Sequence, residues 1–403
     1  MRRLRSSLRA ALTKNGPELQ AFLTGRMPSF VTRANGRAAP DGVPVFFFHD
    51  VEPDRFEAQL RYLQSNGYAT LDADQLEARL RHPDRSGRDR AVALTFDDAT
   101  WTFWAHAFPL LRRYQARAIL FVISGIVPDD PVSYPNLEDL WAGRCSAAEL
   151  QARARVQSLC TWRELRALHE SGMVDIQSHS LTHALVPVSA RTEDFVHPGF
   201  DAGAYANANL PIASTDDPRR PERRLRLGLP VFEARSRLSG RPRFLEAPEL
   251  AQALVDHVKA RGGAAFFEKA SWHGDLAALV DAWPTERRGR FETPQQTREA
   301  IHDELALSKE ILESRLPGKA VRHFCYPRFD GCDLADQLAA EVGYRTIHGG
   351  IGISNRDGAR MPLPVQRISE EYLFRLPGEG RSGIGPVWAN RMRGFIVKAA
   401  GSR

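Results

Sequence analysis

Two rhythms alternate along the first half of the chain. Val43–Phe48 (VPVFFF) is a continuous apolar run of strand length, and His49 and Asp50 follow it at once. Phe56–Asn66 then spaces its apolar residues as one helical face does and stops at Gly67, a residue suited to a helix C-terminus. The sequence continues with a short strand, Tyr68–Leu71, and a helix, DADQLEARLR. After these come the strand within AVALTFDDAT (91–100), the helix HAFPLLRRYQA and the strand Ala118–Ile123. TWRELRALHESG closes a further helix on Gly172, and MVDIQS reads as a strand. Strands alternating with amphipathic helices predict a parallel sheet or barrel of the α/β class.

The rhythm breaks after His183. A Pro/Arg-rich tract, PRRPERRLRLGLP, is followed by helical patterns around 247–262 and 273–283. The α/β alternation resumes with TPQQTREAIHDELALSKEILESRL, VRHFCYP, LADQLAAEVG and YRTIHGG. The expected partition is a basic extension (1–40), a first barrel portion (41–185) and a large insertion (186–295). A second barrel portion (296–375) and a basic tail (376–403) complete it, and no internal repeat is evident.

Composition adds limits. The 403 residues exceed one average domain but suit a single barrel carrying an insertion, and 43% hydrophobic with 26% charged is ordinary for a soluble globular chain. A net charge of +6 favours anionic partners such as phosphates, acidic glycans or a membrane surface. No interleaving of basic and aromatic residues suggests a nucleic-acid groove, so nucleic acid is not an expected partner. The four cysteines (145, 160, 325 and 332) form no CxxC pair, which fits reduced thiols. The N-terminus lacks the apolar stretch of a signal peptide, and no run has membrane-span length, so a cytoplasmic location is expected. Leu4, Leu8 and Leu12 recur at helical spacing among arginines, so residues 1–12 are a candidate peripheral contact with a membrane surface.

Candidate chemistry collects where predicted strands end, the place reactive groups occupy in parallel α/β folds. These ends carry His49, Asp97-Asp98, His179 and Tyr326-Pro327-Arg328. Two adjacent carboxylates repel and raise one another's pKa unless a cation is near. His179 and His183 in SHSLTH (178–183) are spaced i, i+4 and can face one metal ion. Joined by one Asp they form a three-ligand set with open positions, as catalytic metals require.

TFDDA (95–99), SHSLTH (178–183) and FCYPRFDG (324–331) resemble the ordered motifs of the NodB-homology polysaccharide deacetylases, carbohydrate esterase family four. VPVFFFHDV resembles the opening strand of one branch of that family, whose third motif reads "YP". FPLLRRYQARAILFVISG, SKEILESRLPGKAVRHFCYP and RIS (367–369) resemble its later segments. The resemblance spans about 43–185 and 296–372. It implies a distorted (β/α) barrel and hydrolysis of an N-acetyl group from an amino sugar of a polysaccharide, oligosaccharide or lipid-linked glycan. It also implies roles: Asp97 as base, Asp98, His179 and His183 as metal ligands, and the Arg328 main-chain N–H as an oxyanion donor. Tyr326 and Pro327 would lie against substrate. The implied cofactor is a divalent ion, zinc first, with Co²⁺, Ni²⁺, Fe²⁺ or Mn²⁺ as alternatives.

Such a site fits the chemistry. A bound divalent ion polarises the amide carbonyl and acidifies water, a carboxylate takes the water's proton, and an N–H donor stabilises the oxyanion. The amine leaving group needs an acid, for which His49, His348 and Asp97 itself are candidates. Three departures from the family pattern stand out: Ala99 replaces the usual Gly, Cys325 stands where many members carry an Arg that pairs with the base, and Arg328 replaces Tyr or Phe. EARSRL (233–238) and SWH (271–273) are polar-aromatic clusters that line either a cleft or plain surface. The rival readings are a non-catalytic carbohydrate-binding relative and a deacylase or deformylase acting on a non-polysaccharide amide.

Overall fold

A computed structural model describes residues 20–33, 42–83, 90–132, 134–153, 159–200, 225–351 and 361–388. The Leu4/Leu8/Leu12 segment, most of the Pro/Arg-rich tract and the end of the basic tail lie outside the described residues. The main sheet contains β1 (Val45–Phe48), β2 (Ala69–Thr70), β3 (Ala91–Phe96), β4 (Ala118–Val122) and β5 (Val174–Ser178). It also contains β10 (His323–Cys325), β11 (Thr346–Gly349), β12 (Leu363–Gln366) and β13 (Ile368–Ser369). Their order is β12-β11-β10-β5-β4-β3-β1-β13, with β2 flanking β3, and every pairing is parallel.

Only Arg367 separates β12 from β13. One segment, 363–369, therefore pairs with β11 by its first half and with β1 by its second. That shared segment brings the sheet nearly to closure as a distorted (β/α) barrel. The strands are buried on both faces, which is why they read as unbroken apolar runs rather than alternating ones. Period-two geometry sends Val45, Ala91, Ala93, Ile119, Phe121, Cys325 and Val365 into one cluster inside the barrel. Their neighbours Phe46, Leu94, Leu120, Ile176, Phe324 and Ile368 join the larger outer core.

Helices cover the outside, and their starts follow local rules. Asp72, Thr161 and Thr293 each form a capping box at the head of Ala73–Arg81, Trp162–Glu170 and Pro294–Arg315. Ala73–Arg81 plugs the end of the barrel where the strands begin, with Ala73 and Leu76 packed into the inner cluster. We call that end the floor and the opposite one the mouth.

The segment that interrupts the barrel builds two antiparallel pairs outside the main sheet. One joins β6 (Leu185–Phe195) to β7 (Pro230–Ser236), the other β8 (Phe244–Glu246) to β9 (Gly289–Phe291). The sequence pattern predicted its helices, seen at Pro248–Ala260 and Trp272–Ala282, but not the long β6–β7 ladder. Pro187 and mostly half-exposed positions along β6 leave no clean alternation to read. A separate core of Phe195, Leu250, Leu254, Val258, Phe266, Leu276 and Val280 holds these elements together. Arg237 of the EARSRL cluster forms a buried pair with Glu292, and His273 of SWH faces Asp194 at 3.7 Å.

Candidate active site

The mouth gathers the strand-end residues. Asp97 and Asp98 leave β3, and His179 leaves β5, its N–H bonded to the Val122 carbonyl at the end of β4. Asp98 and Ala99 both take left-handed backbone, φ 70° and 52°, which swings the second carboxylate away from the first. Ala99 stays buried in that conformation, and its carbonyl accepts the Cys160 N–H at 2.8 Å. The Cβ is thus accommodated, at the cost of left-handed strain that the usual Gly avoids.

The SHSLTH loop brings both histidines onto one carboxylate. Ser180 and His183 are left-handed, φ 72° and 57°, and the Ser180 hydroxyl accepts the His183 N–H at 3.0 Å. Nε2 of His179 lies 3.4 Å from Asp98 Oδ1, and Nε2 of His183 lies 3.8 Å from it. Atoms of Asp98, His179 and His183 all fall within 4.8 Å of one another. His179 Nδ1 lies 2.9 Å from the Cys325 carbonyl, a bond that makes Nδ1 the donor and turns Nε2 toward Asp98. Asp98 Oδ1 is buried with no hydrogen-bond partner, and no Lys or Arg pairs with Asp98 among the described residues. Two imidazoles and an orphaned carboxylate oxygen converging at these separations fit a shared divalent ion.

Electrostatics agree. Burial works against charge on Asp98, but the proximity of His179, His183 and His49 outweighs it and holds the carboxyl well below its usual range. Burial, with His179 and Arg328 adding to it and Asp98 opposing, pushes His183 down to about 4, leaving the ring neutral. His179 is driven the other way: burial disfavours its charge, yet Cys325, Asp97 and Asp98 together raise it.

Asp97 has a different partner, one that the sequence reading missed. Arg367, between β12 and β13, donates to both Asp97 oxygens, at 2.7 and 2.9 Å. It also donates to Thr95 Oγ1 at 3.0 Å and lies 2.8 Å from Cys325 Sγ. The rings of Phe47, Phe121 and Phe329 surround the guanidinium with centroids 5.7, 5.5 and 5.1 Å away. Burial tends to raise the Asp97 carboxyl, but Arg367, then His179 and His49, hold it ionised below the ordinary value. The signal was present as an absence: Cys325 stands where the resemblance leads one to expect an Arg paired with Asp97, so this buried carboxylate called for a cation from elsewhere. Asp97, His179 and Cys325 form a second triad that could be drawn around a metal, but Arg367 already supplies the positive charge there.

Glu304 was also missed. From the middle of Pro294–Arg315 it accepts the Leu181 and Thr182 N–H groups at 3.1 and 3.0 Å, and the Thr182 hydroxyl as well. It pins the turn that carries His183, and Ser308 one helical turn on bonds Ser178 at 2.7 Å. Gly125 supports the turn from the other side, since a Cβ there would meet the Leu181 carbonyl at 2.5 Å.

In the third loop, Arg328 and Phe329 are left-handed, φ 56° and 59°. The Arg328 N–H finds no acceptor among the described residues, as an oxyanion donor requires. The Tyr326 ring, by contrast, turns into the outer core and bonds Asp336 at 2.7 Å, so the structure does not bring that side chain to the site. Pro327 is buried beside it. His49 is exposed at the mouth. His348 is buried inside the barrel, its Nε2 3.0 Å from Thr346 Oγ1 and its ring against Phe121. Cys332 caps the helix Asp333–Val342, and all four cysteines are free.

Residues 84–196 match the sequence profile of the polysaccharide deacetylases. The match covers 113 of the chain's 403 residues. Poly-beta-1,6-N-acetyl-D-glucosamine N-deacetylase of Escherichia coli K12 is 26% identical over 136 residues, covering 33% of this chain and 18% of that protein. The protein of the same name from Staphylococcus aureus MSSA476 is 24% identical over 140 residues, covering 34% and 38%. The chain thus spans well under half the length of these curated relatives. Among solved structures, a de-N-acetylase from Aggregatibacter actinomycetemcomitans aligns with 87% of this chain and 99% of its own at a TM-score of 0.48 and 14% identity. The deacetylase domain of BpsB from Bordetella bronchiseptica aligns at 0.46 and 16%, covering 81% and 94%.

Proposed function

We propose that the chain is a metal-dependent hydrolase that removes the N-acetyl group from an amino sugar in a polysaccharide, oligosaccharide or lipid-linked glycan. The observation that carries this reading is the pairing of two carboxylates in different states of service: Asp98 with His179 and His183 on one side, Asp97 locked to Arg367 on the other. Names of relatives that act on poly-N-acetylglucosamine support an acetamido sugar as the substrate class.

A divalent ion at Asp98, His179 and His183, zinc or one of its transition-metal analogues, would supply Lewis acidity toward the amide carbonyl and water. Asp97 is the base. Its buried, ionised carboxylate takes a proton from the attacking water, and Arg367 keeps both oxygens fixed while leaving each a free lone pair. As the carbonyl oxygen gains charge, the Arg328 N–H donates to it. The exposed His49 ring is the acid that returns a proton to the departing amine nitrogen. Glu304 and the Cys325 carbonyl keep the two imidazoles aimed throughout.

The test measures acetate release from a panel of acetamido sugars, together with metal content, for the wild type and Asp97→Asn. Wild type should carry a stoichiometric divalent ion and release acetate; Asp97→Asn should keep the ion and lose turnover. A wild type that binds no ion, or an active Asp97→Asn, overturns the mechanism. Release of formate or another acyl group in place of acetate would move the substrate to a different amide.

A further inference from the structure

The third loop carries a cation that nothing in the fold uses. Tyr326 to Phe329 follow β10, and the chain is fixed on both sides of Arg328. The Cys325 carbonyl accepts from His179 Nδ1 at 2.9 Å. The Tyr326 N–H donates to the His348 carbonyl at 3.0 Å, and Asp336 holds the tyrosine ring in the outer core. On the other side, the Phe329 ring lies 5.1 Å from the Arg367 guanidinium and 5.1 Å from the Phe47 ring. Gly350 leaves room for that ring, since a Cβ there would meet it at 2.8 Å. Arg328 thus stands between a tyrosine anchored outward and a phenylalanine anchored over the Asp97–Arg367 pair, left-handed at φ 56° and exposed at the mouth.

Its side chain is close to the candidate metal ligands without being consumed by them. Enough protein surrounds the guanidinium to pull its pKa down, while Asp98 and then Asp330 oppose that, and Arg328 in turn helps to keep the His183 ring neutral. Neither carboxylate is within ion-pair distance, and the guanidinium has no hydrogen bond, ion pair or ring contact among the described residues. Arg367, Arg237 and Arg153 show the contrast: each is buried and forked onto one carboxylate, of Asp97, Glu292 and Glu164 respectively. A structural guanidinium in this chain is paired; the one at the mouth is left open.

We propose that the Arg328 side chain selects, among acetamido sugars, those that carry a carboxylate or a phosphate near the scissile amide. The inference rests on the deacetylase reading, which supplies the amide. The main-chain N–H of Arg328 serves the acetyl oxygen in that reading, so an anion held by the same residue's fork lies one side-chain length away, on the sugar that bears the amide or on its neighbour. A planar fork of donors matches carboxylate and phosphate bidentately, an interaction that a neutral hydroxyl does not equal.

The experiment compares wild type, Arg328→Gln and Arg328→Lys on three acetamido monosaccharides of similar size. These are the neutral methyl glycoside of N-acetylglucosamine, N-acetylmuramic acid with its carboxylate, and N-acetylglucosamine 1-phosphate. Acetate release and calorimetric binding are both measured. Each protein is judged by its anionic-to-neutral ratio, so any effect of the substitution on shared machinery cancels. Wild type should favour at least one anionic sugar by about 10- to 100-fold, the scale of a hydrogen bond between charged groups, chiefly through KM and Kd. The ratio should shrink as salt rises, because the pair forms at an exposed rim. It should fall to about one in Arg328→Gln and recover in part in Arg328→Lys. The anion that responds identifies the selected group as carboxylate or phosphate. Equal handling of neutral and anionic sugars by wild type, or a preference that persists in Arg328→Gln, overturns the proposal. Absence of acetate release from all three sugars counts against the deacetylase reading instead, and the binding ratios then decide the role of Arg328 by themselves.

Discussion

The two ends of the barrel are built from the same residue types and arrive at opposite results. At the mouth, Asp98, His179 and His183 converge; at the floor, Asp74, Glu77 and His323 do so within the same distance limit. The floor cluster is closed by the protein's own cations. Asp74 pairs with Arg322 and Arg345 at 3.2 and 3.4 Å, and Glu77 with Arg81 and Arg345 at 2.7 and 2.8 Å. Both His323 nitrogens are engaged, one by Thr346 and one by Asp74. At the mouth no Arg or Lys forms an ion pair with Asp98 among the described residues, and its Oδ1 is left over. A His–carboxylate cluster is read correctly only with its counter-charges: where guanidinium groups complete it the cluster is a clamp, and where they are missing a place remains for an ion. Asp97 lies between these cases, a buried carboxylate at the mouth completed by Arg367 as the floor carboxylates are.

The sharpest way to break the comparison is to disable each cluster in turn. Asp97→Asn should lower kcat/KM for acetate release by about 10³-fold, within the range for a lost general base. His183→Ala should strip the ion, seen by metal analysis, with a comparable loss of activity. Asp74→Asn should leave turnover and metal content within about twofold. Its cost in stability should stay under about 1 kcal/mol by thermal denaturation, because a half-exposed pair is screened. An Asp74→Asn protein that lost its metal would remove the distinction between mouth and floor.

Arg367 comes next. Arg367→Met leaves Asp97 buried without a partner and should cost about 3–5 kcal/mol in unfolding free energy. Arg367→Lys keeps the charge but loses the fork, so the protein should fold with activity down about 10- to 100-fold. The pH profile gives the sign. Asp97 is held below its ordinary value and, as the proposed base, must be ionised to act, so activity should fade as pH falls through its pKa. Weakening the partner raises that pKa, and the acid limb of the profile should move to higher pH in Arg367→Lys. A limb that stayed in place would mean that Arg367 acts only on structure.

Glu304→Gln should fold, yet loosen the turn around Thr182 and weaken metal affinity by about 10- to 100-fold, the scale of a lost supporting bond, as measured by competition with a chelator. The smallest effect belongs to Ala99→Gly. Relief of the left-handed backbone should raise stability by less than about 1 kcal/mol, seen as a modest rise in Tm with kcat unchanged.

The parts of the site that are local in sequence were legible. Asp97-Asp98 and His179/His183 fall at the ends of apolar runs whose length and flanks announce strands, so their meeting follows from parallel topology. Arg367 was not legible as the partner of Asp97, because it lies 270 residues away and a lone arginine between two short strands carries no distinguishing pattern. Glu304 was hidden for another reason: one more glutamate on a long polar-faced helix looks like surface until the turn it holds is in place. The floor was invisible because its histidine and acids are scattered over β10 and the helix Ala73–Arg81. The Tyr326 ring misled by adjacency: its neighbour Arg328 faces the site through the main chain, and strand alternation sends the tyrosine outward.

The closing segment 363–369 also bears on how the site is completed. Every candidate ligand and the candidate base lie within the first 183 residues, but the counter-charge of Asp97 arrives at position 367 of 403. A nascent chain halted before that point would hold all its carboxylates and imidazoles. It would also have an open seam between β11 and β1 and an Asp97 whose charge faces a void. Completion of synthesis, closure of the ring and neutralisation of the Asp97 charge are therefore one event.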